Sequence, residues 1–409
     1  MTSTSFFFQR TVIAAALALG STAALAQAAA PCTPLERGAA SSPSQRPAFA
    51  GQTRACAAVP SAAVKVSVVA SGLVHPWSVE PLPDGGFLVS ERPGRMRHIS
   101  AGGQVSEPIE GLPAIDAGRQ GGLLDIALGP SFASDRTIFW SYTEPRQDGN
   151  ATAVARGRLS ADNRRVEQVR VILRTVPSWN NHMHYGSRLA FGPDDMLYVT
   201  LGERSDVAAR PQAQQLGSHF GKLLRITADG ASPADNPFVG RDGARPEIWT
   251  LGHRNVQAAA FDPRGRLWTV EMGPRGGDEL NLIDKGKNYG WPLITYGEEY
   301  SGRPVGDGST ARAGLEQPVY YWDPVIAPSG AQWYDGELFP AWRGNLFVGG
   351  LGGKALVRLV IDGERVVAEE HLLTDRNQRI RDVRQGPDGA LYLVTDERDG
   401  SLLKVVPAR

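Results

Sequence analysis

The chain has 409 residues, with 43 Lys plus Arg against 43 Asp plus Glu, so its formal net charge is zero. That balance excludes a dedicated nucleic-acid binder or a polybasic membrane-surface protein, both of which need a standing excess of positive charge. A hydrophobic content of 42% supplies a large core and excludes disorder of the whole chain, while 47 Gly and 29 Pro suit many short elements joined by turns.

At the N-terminus an apolar stretch from Thr11 to Leu25 follows Arg10 and ends in Ala24-Leu25-Ala26, a small-x-small cleavage pattern. Residues 1–26 are therefore expected to be a secretory signal peptide, too short for a retained span. No later segment reaches the roughly 18 uninterrupted apolar residues of a transmembrane helix. The expectation is an exported protein, periplasmic or secreted, with no membrane span. Residues 27–61 form an Ala/Pro/Ser/Gln-rich extension that holds both cysteines, Cys32 and Cys56. An oxidising compartment favours one disulfide stapling this extension. A lipid anchor on Cys32 is the competing idea, which Pro31 disfavours.

Residues 62–409 carry a loose repeat in which a Pro/Asp/Gly turn precedes an alternating apolar strand. It occurs at Leu82 to Val89, Pro130 to Tyr142, Gly192 to Val199, Asp262 to Trp268, Arg343 to Val348 and Gly386 to Tyr392. Six units at about 58 residues each match one four-stranded sheet plus loops per unit. The predicted fold is all-β, a six-bladed β-propeller of four-stranded antiparallel blades. If each turn is a hairpin tip, residues about ten positions before and after it face each other at the opposite end. His184 and Glu203 flank one turn in this way, and Arg254 and Gly273 flank another. Gln120, Arg379 and Arg381 hold comparable places before theirs, so all these side chains are expected on one face.

His184 in Asn181-His182-Met183-His184-Tyr185 suits a general base, because a facing carboxylate fixes the tautomer of a neutral imidazole. His182 and His184 are also spaced to share a transition metal, or both could bond loop backbone. Arg254, Arg379 and Arg381 together suit a ligand with several carboxylates or phosphates, whereas each alone reads as a surface ion pair. Glu271 to Glu279 ends a strand in a Gly-rich turn with acids, where carbonyl and carboxylate oxygens could hold Ca²⁺. Glu298 and Glu299 offer a second oxygen-rich site, and solvated turn acids are the plain alternative for both. Gly350 to Ala355 matches a loose dinucleotide fingerprint, but the strand-like Leu356 to Ile361 follows where a helix is needed.

The ordered set Gln120-Gly121-Gly122-Leu123-Leu124, His184-x-x-x-Arg188-Leu189, Leu251 to Asn255, Gly273-Pro274, Asp278 to Ile283, Asn288 to Pro292 and Arg379-x-Arg381-Asp382-Val383 resembles the soluble quinoprotein glucose and aldose sugar dehydrogenases. The likeness runs from about Val68 to Val406 and implies a six-bladed propeller using pyrroloquinoline quinone and Ca²⁺. It implies His184 as the base at the sugar's anomeric hydroxyl, Glu203 as its orienting carboxylate where the glucose enzymes carry Asp, and Arg254 as the cation for charge on the quinone oxygens. Cofactor binding falls on Gln120, Arg254, Asn255, Arg379 and Arg381, and on Lys354, which is shifted by about two positions from the family's Lys. The carbonyls of Gly273 and Pro274 resemble ligands of the cofactor's Ca²⁺. Glu279 and Glu299, with the carbonyls of Thr295 and Gly297, resemble a second, structural Ca²⁺ site. Short loops between blades resemble the aldose sugar dehydrogenase branch, which implies oxidation of aldoses at C1 to lactones and an unidentified electron acceptor. The rival readings are a Ca²⁺-dependent lactonase and a non-enzymatic carbohydrate-binding propeller.

Overall fold

The computed structural model describes residues 1–2, 32–60 and 62–408, so the expected signal peptide lies outside the described residues apart from its first two. The chain divides into two compact units, Met1–Cys32 and Thr33–Arg409, and among the described residues the strands belong to the second. Among the described residues no helix is long and apolar enough to cross a membrane. Cys32 and Cys56 are both disulfide-bonded.

Six sheets form six blades, each opened by an innermost strand: Pro76–Pro81, Leu123–Leu128, Gly186–Phe191, Val256–Phe261, Pro328–Trp333 and Ile380–Gln385. Neighbouring innermost strands touch all the way round, which closes the ring. The last blade is completed by the N-terminal strand Val64–Leu73, antiparallel to Gly400–Pro407, so the two ends of the domain fasten each other. Four blades are four-stranded. The first has three strands, and the fifth gains a parallel edge strand, Cys56–Ala57, laid against Arg365–Leu372. The six repeat turns all join the first strand of a blade to its second. In five of them an Asp carboxylate accepts a backbone N–H two residues on, at Asp84, Asp135, Asp194, Asp262 and Asp388.

Six apolar clusters fill the six gaps between adjacent blades. One of them packs Trp268, Leu280 and Tyr320 of the fourth blade against Trp333, Val348 and Val357 of the fifth. Each fully buried Val, Leu or Phe contributes about 1.5–3 kcal/mol. Residues 33–60 cross the outer edge of the same two blades. Ser41 and Ser42 donate backbone N–H groups to Asp323 at 2.6 and 3.0 Å, and the Ser42 hydroxyl donates to the Arg275 carbonyl at 2.7 Å.

One backbone bond recurs in every blade and defines the functional face. A residue just past the second strand, or in the second blade within that longer strand, donates its N–H to the carbonyl just before the first: Arg92 to His75, Thr143 to Gly122, Arg204 to His184, Met272 to Asn255, Leu351 to Ala327 and Asp396 to Arg379, at 2.8–3.3 Å. The six pairs form a ring of equivalent positions at the end opposite the repeat turns. Glycine is required at one entry to it, Gly186, whose φ is +64° and whose Cβ would stand 2.6 Å from the Leu201 backbone.

Candidate active site

His184 precedes the third blade's innermost strand, with φ at +48°. Its Nδ1 lies 2.8 Å from Glu203 Oε1 across the hairpin, as the repeat register predicts, and both residues are buried. Glu203 is acceptor-only when ionised, so Nδ1 carries the proton and Nε2 keeps a free lone pair. Burial, then the Arg254 charge, pushes the imidazole below the ordinary histidine range against the pull of Glu203, so it is neutral at pH 7. Gln120 Oε1 accepts the His184 N–H at 2.8 Å. His182 turns away: its Nε2 meets Asp116 at 2.9 Å. Among the described residues no three His, Cys, Asp or Glu side chains are disposed to hold a metal.

Arg254 occupies the corresponding turn of the fourth blade. Its backbone N–H donates to Glu271 at 2.7 Å, and Nη1 donates to the carbonyls of Met272 and Gly273 at 2.9 and 2.6 Å. The guanidinium also lies 5.3 Å from the Trp291 ring centre, in cation–π contact. Asn255 Oδ1 accepts the Gly186 N–H at 3.1 Å, tying this blade to the one that carries His184.

Between these groups and the sixth blade lies a cavity of about 260 Å³. Gln120, Asn255, Arg379 and Arg381 line it, together with Trp77, Arg92, Tyr185, Gln257, Met272 and Asp396. Arg379 and Arg381 both reach Asp396, at 3.2 and 2.6 Å. Burial opposes ionisation of Asp396, but Arg381, Arg379 and Arg92 outweigh it and hold the carboxyl well below its usual range. Three guanidinium groups thus face one carboxylate, and the Nε atoms of Arg381 and Arg254 are buried without a partner. An excess of cations with unspent donors fits a polyanionic ligand. Lys354 is not among the residues lining this cavity; its Nζ donates to Asn377 Oδ1 at 3.0 Å.

Arg188, buried on the third blade's innermost strand, pairs with Asp125 at 2.7 Å and Asp382 at 3.2 Å, with its guanidinium 4.4 Å from the ring centre of Trp77, which lines the cavity. Gly330 makes room for that pairing, since a Cβ there would stand 1.8 Å from the Asp382 carboxylate.

Gly273, Glu279 and Thr295 border a second, smaller cavity of about 10 Å³, room for one ion or water. Burial, then Glu271 close by, raises the Glu279 carboxyl well above its usual range. The Asn281 side-chain amide donates to it at 3.3 Å. Asp278 is pushed up to about 7 by burial, against the N–H groups of Gly273 and Ala327. Buried acids beside a carbonyl fit a hard metal ion, with Arg254 as the cation that borders the same cavity. The turn carrying Pro274 packs on Gly297, whose Cβ would stand 2.7 Å from the proline ring. Glu299 points to Arg210, bonded at 2.5 Å.

Sequence reasoning missed Trp77, Arg92, Tyr185, Gln257, Met272, Asp396 and Arg204. A signal was present for two of them: Glu91-Arg92 and Glu203-Arg204 close the second strand in the first and third blades, a repeat within the repeat.

A closed propeller that presents a neutral, carboxylate-held imidazole beside a cationic cavity is the site of an enzyme acting on a polar substrate with an anionic cofactor. The sequence agrees: residues 73–404 match the Glucose / Sorbosone dehydrogenase family, and the chain belongs to it. It is 47% identical to the aldose sugar dehydrogenase YliI of Escherichia coli, over 85% of this chain and 94% of that protein. Quinoprotein glucose dehydrogenase B of Acinetobacter calcoaceticus is 28% identical over 80% of this chain and 84% of its own. The PQQ-bound aldose sugar dehydrogenase of Streptomyces coelicolor superposes with a TM-score of 0.68 at 32% identity, over 85% of this chain and all of that one, 100%.

Proposed function

We propose that this chain is an exported quinoprotein that oxidises the C1 hydroxyl of aldose sugars to lactones, using pyrroloquinoline quinone and Ca²⁺. The observation that carries the reading is the buried 2.8 Å His184–Glu203 pair beside a cavity walled by Arg92, Arg379 and Arg381. A lactonase has no use for that guanidinium wall. The quinone, when bound, supplies a hydride acceptor, and Ca²⁺ supplies a Lewis acid beside it.

The chain's own residues do the rest. His184 Nε2 takes the anomeric hydroxyl proton, and Glu203 stabilises the imidazolium that forms. Gln120 fixes the peptide that carries the base. Arg379 and Arg381 hold the cofactor's carboxylates, and Gln257 and Asn255 offer amide contacts. Arg254 stands where negative charge arrives, which favours the transition state over the ground state. Gly273 and Pro274 carbonyls hold the cofactor's Ca²⁺; the Gly273 oxygen keeps one lone pair beyond its bond to Arg254. Glu279 and Glu299, with the carbonyls of Thr295 and Gly297, would hold the second cation, for which Glu299 would have to give up its bond to Arg210. Residues 1–26 direct export and the disulfide suits the oxidising destination. Reconstitution tests the reading: apo-protein is mixed with quinone and Ca²⁺, and dye reduction is followed with a panel of aldoses. Turnover that needs both additions is expected, and none with any aldose would sink it.

A further inference from the structure

We propose that Arg204 is a positioning residue, a buried clamp that holds the loop 181–185 so that His184 presents Nε2 to the sugar. The inference rests on the reading of His184 as the base. Arg204 is 2% exposed, and its guanidinium goes to backbone oxygens of the loop before His184 and to Asn150. Nε donates to the Met183 carbonyl at 3.1 Å, Nη1 to the Asn150 carbonyl at 3.2 Å, and Nη2 to Asn150 Oδ1 at 2.6 Å and to the Asn181 carbonyl. Its flat face lies 4.2 Å from the centre of the Tyr185 ring, and its backbone N–H donates to the His184 carbonyl at 3.3 Å. One side chain therefore grips residues 181, 183 and 185, while its backbone grips 184.

The grip has work to oppose. His184 sits at a φ of +48°, which costs an L-residue about 1–2 kcal/mol, and the loop gains nothing from leaving it there unless something holds it. A guanidinium buried without a carboxylate of its own is expensive, and the adjacent Glu203 is turned to His184 and Ser205. Packing alone would be served more cheaply by Met or Leu. The charge has a use as well: Arg204 joins Arg254 in opposing protonation of His184, against Glu203.

Arg204→Lys keeps the charge and loses the planar fork; Arg204→Met loses both. At saturating quinone and sugar, both variants are expected to lose about 10²-fold in kcat, as a misplaced base does. Quinone Kd and sugar KM should stay within about threefold, and amide hydrogen exchange should quicken over 181–185. The acid limb of the pH profile should rise in Arg204→Met and stay in Arg204→Lys. Turnover of Arg204→Lys within about threefold of the parent overturns the clamp, as does a loss that excess quinone restores. If the Arg204 variants do not fold, Asn150→Ala, which removes one gripped oxygen, carries the same expectation and the same refutation. His184→Ala is the control: full activity there overturns the base and the clamp together, whereas an inactive His184→Ala with an active Arg204→Lys overturns the clamp alone.

Discussion

Replacing Arg381 by Met separates cofactor anchoring from structural support. Arg381 is 7% exposed, lines the cavity, holds Asp396 at 2.6 Å and leaves its Nε buried without a partner. A charge-assisted hydrogen bond to a ligand carboxylate contributes about 1.5–3 kcal/mol. At about 1.4 kcal/mol per tenfold, Arg381→Met should raise the quinone Kd about tenfold to a hundredfold. The same change also takes from buried Asp396 its shortest ion pair, leaving Arg379 at 3.2 Å and His75 at 3.5 Å, so stability falls too. A half-broken buried pair costs up to about 3–5 kcal/mol. Adding Asp396→Asn removes the stranded charge, so the double variant should regain stability in urea without regaining affinity. The assay is a quinone absorbance titration beside urea unfolding for both variants and the parent. An unchanged Kd in Arg381→Met would refute the anchor, and affinity that returns with stability in the double variant would show support rather than contact.

His184→Ala should lower kcat about 10²- to 10⁴-fold with quinone Kd unchanged, while His182→Ala, which loses only its bond to Asp116, should do far less; steady-state kinetics of both decide it. Because burial and Arg254 lower the His184 pKa, activity should persist as pH falls through the ordinary histidine value near 6.5, with the acid limb of kcat/KM below it; a limb above it would contradict the assignment. Burial keeps Glu279 protonated well above the usual carboxylate range, so Ca²⁺ must displace a proton there. Calorimetry should accordingly show tighter Ca²⁺ binding at pH 8 than at pH 5.5, and Glu279→Gln should weaken the structural site. Gly186→Ala forces a side chain into a φ of +64° and against the Leu201 backbone, and should cost about 2 kcal/mol or more in urea unfolding.

The blade count and the pairing of His184 with Glu203 were legible because the Pro/Asp/Gly turns mark one fixed register in every blade. Position relative to a turn then stood in for position in space, and it also brought Arg254 to Gly273. Residues that meet only by closing the ring were not legible: Asp396 reaches Arg381 within one blade, but the cavity they face depends on Trp77 and Arg92 arriving from the next. Arg188 is the same kind of case, since its partners Asp125 and Asp382 lie on two other blades. The fifth strand of one blade escaped notice because Cys56–Ala57 is two residues long and pairs in parallel, without an apolar alternation to announce it. Lys354 carried a family expectation across a loop of different spacing, and its Nζ lies 3.0 Å from Asn377 Oδ1.

The most direct test of the central claim is a single turnover without acceptor. Quinone- and Ca²⁺-loaded protein is mixed anaerobically with an aldose, and the cofactor spectrum is followed with C1-protium and C1-deuterium sugar in the parent and in His184→Ala. The account predicts rapid reduction, a several-fold slowing by deuterium at C1, lactone as product, and reduction slowed by about 10² or more in His184→Ala. Reduction insensitive to deuterium and to the loss of His184, or no reduction by any aldose, would contradict it.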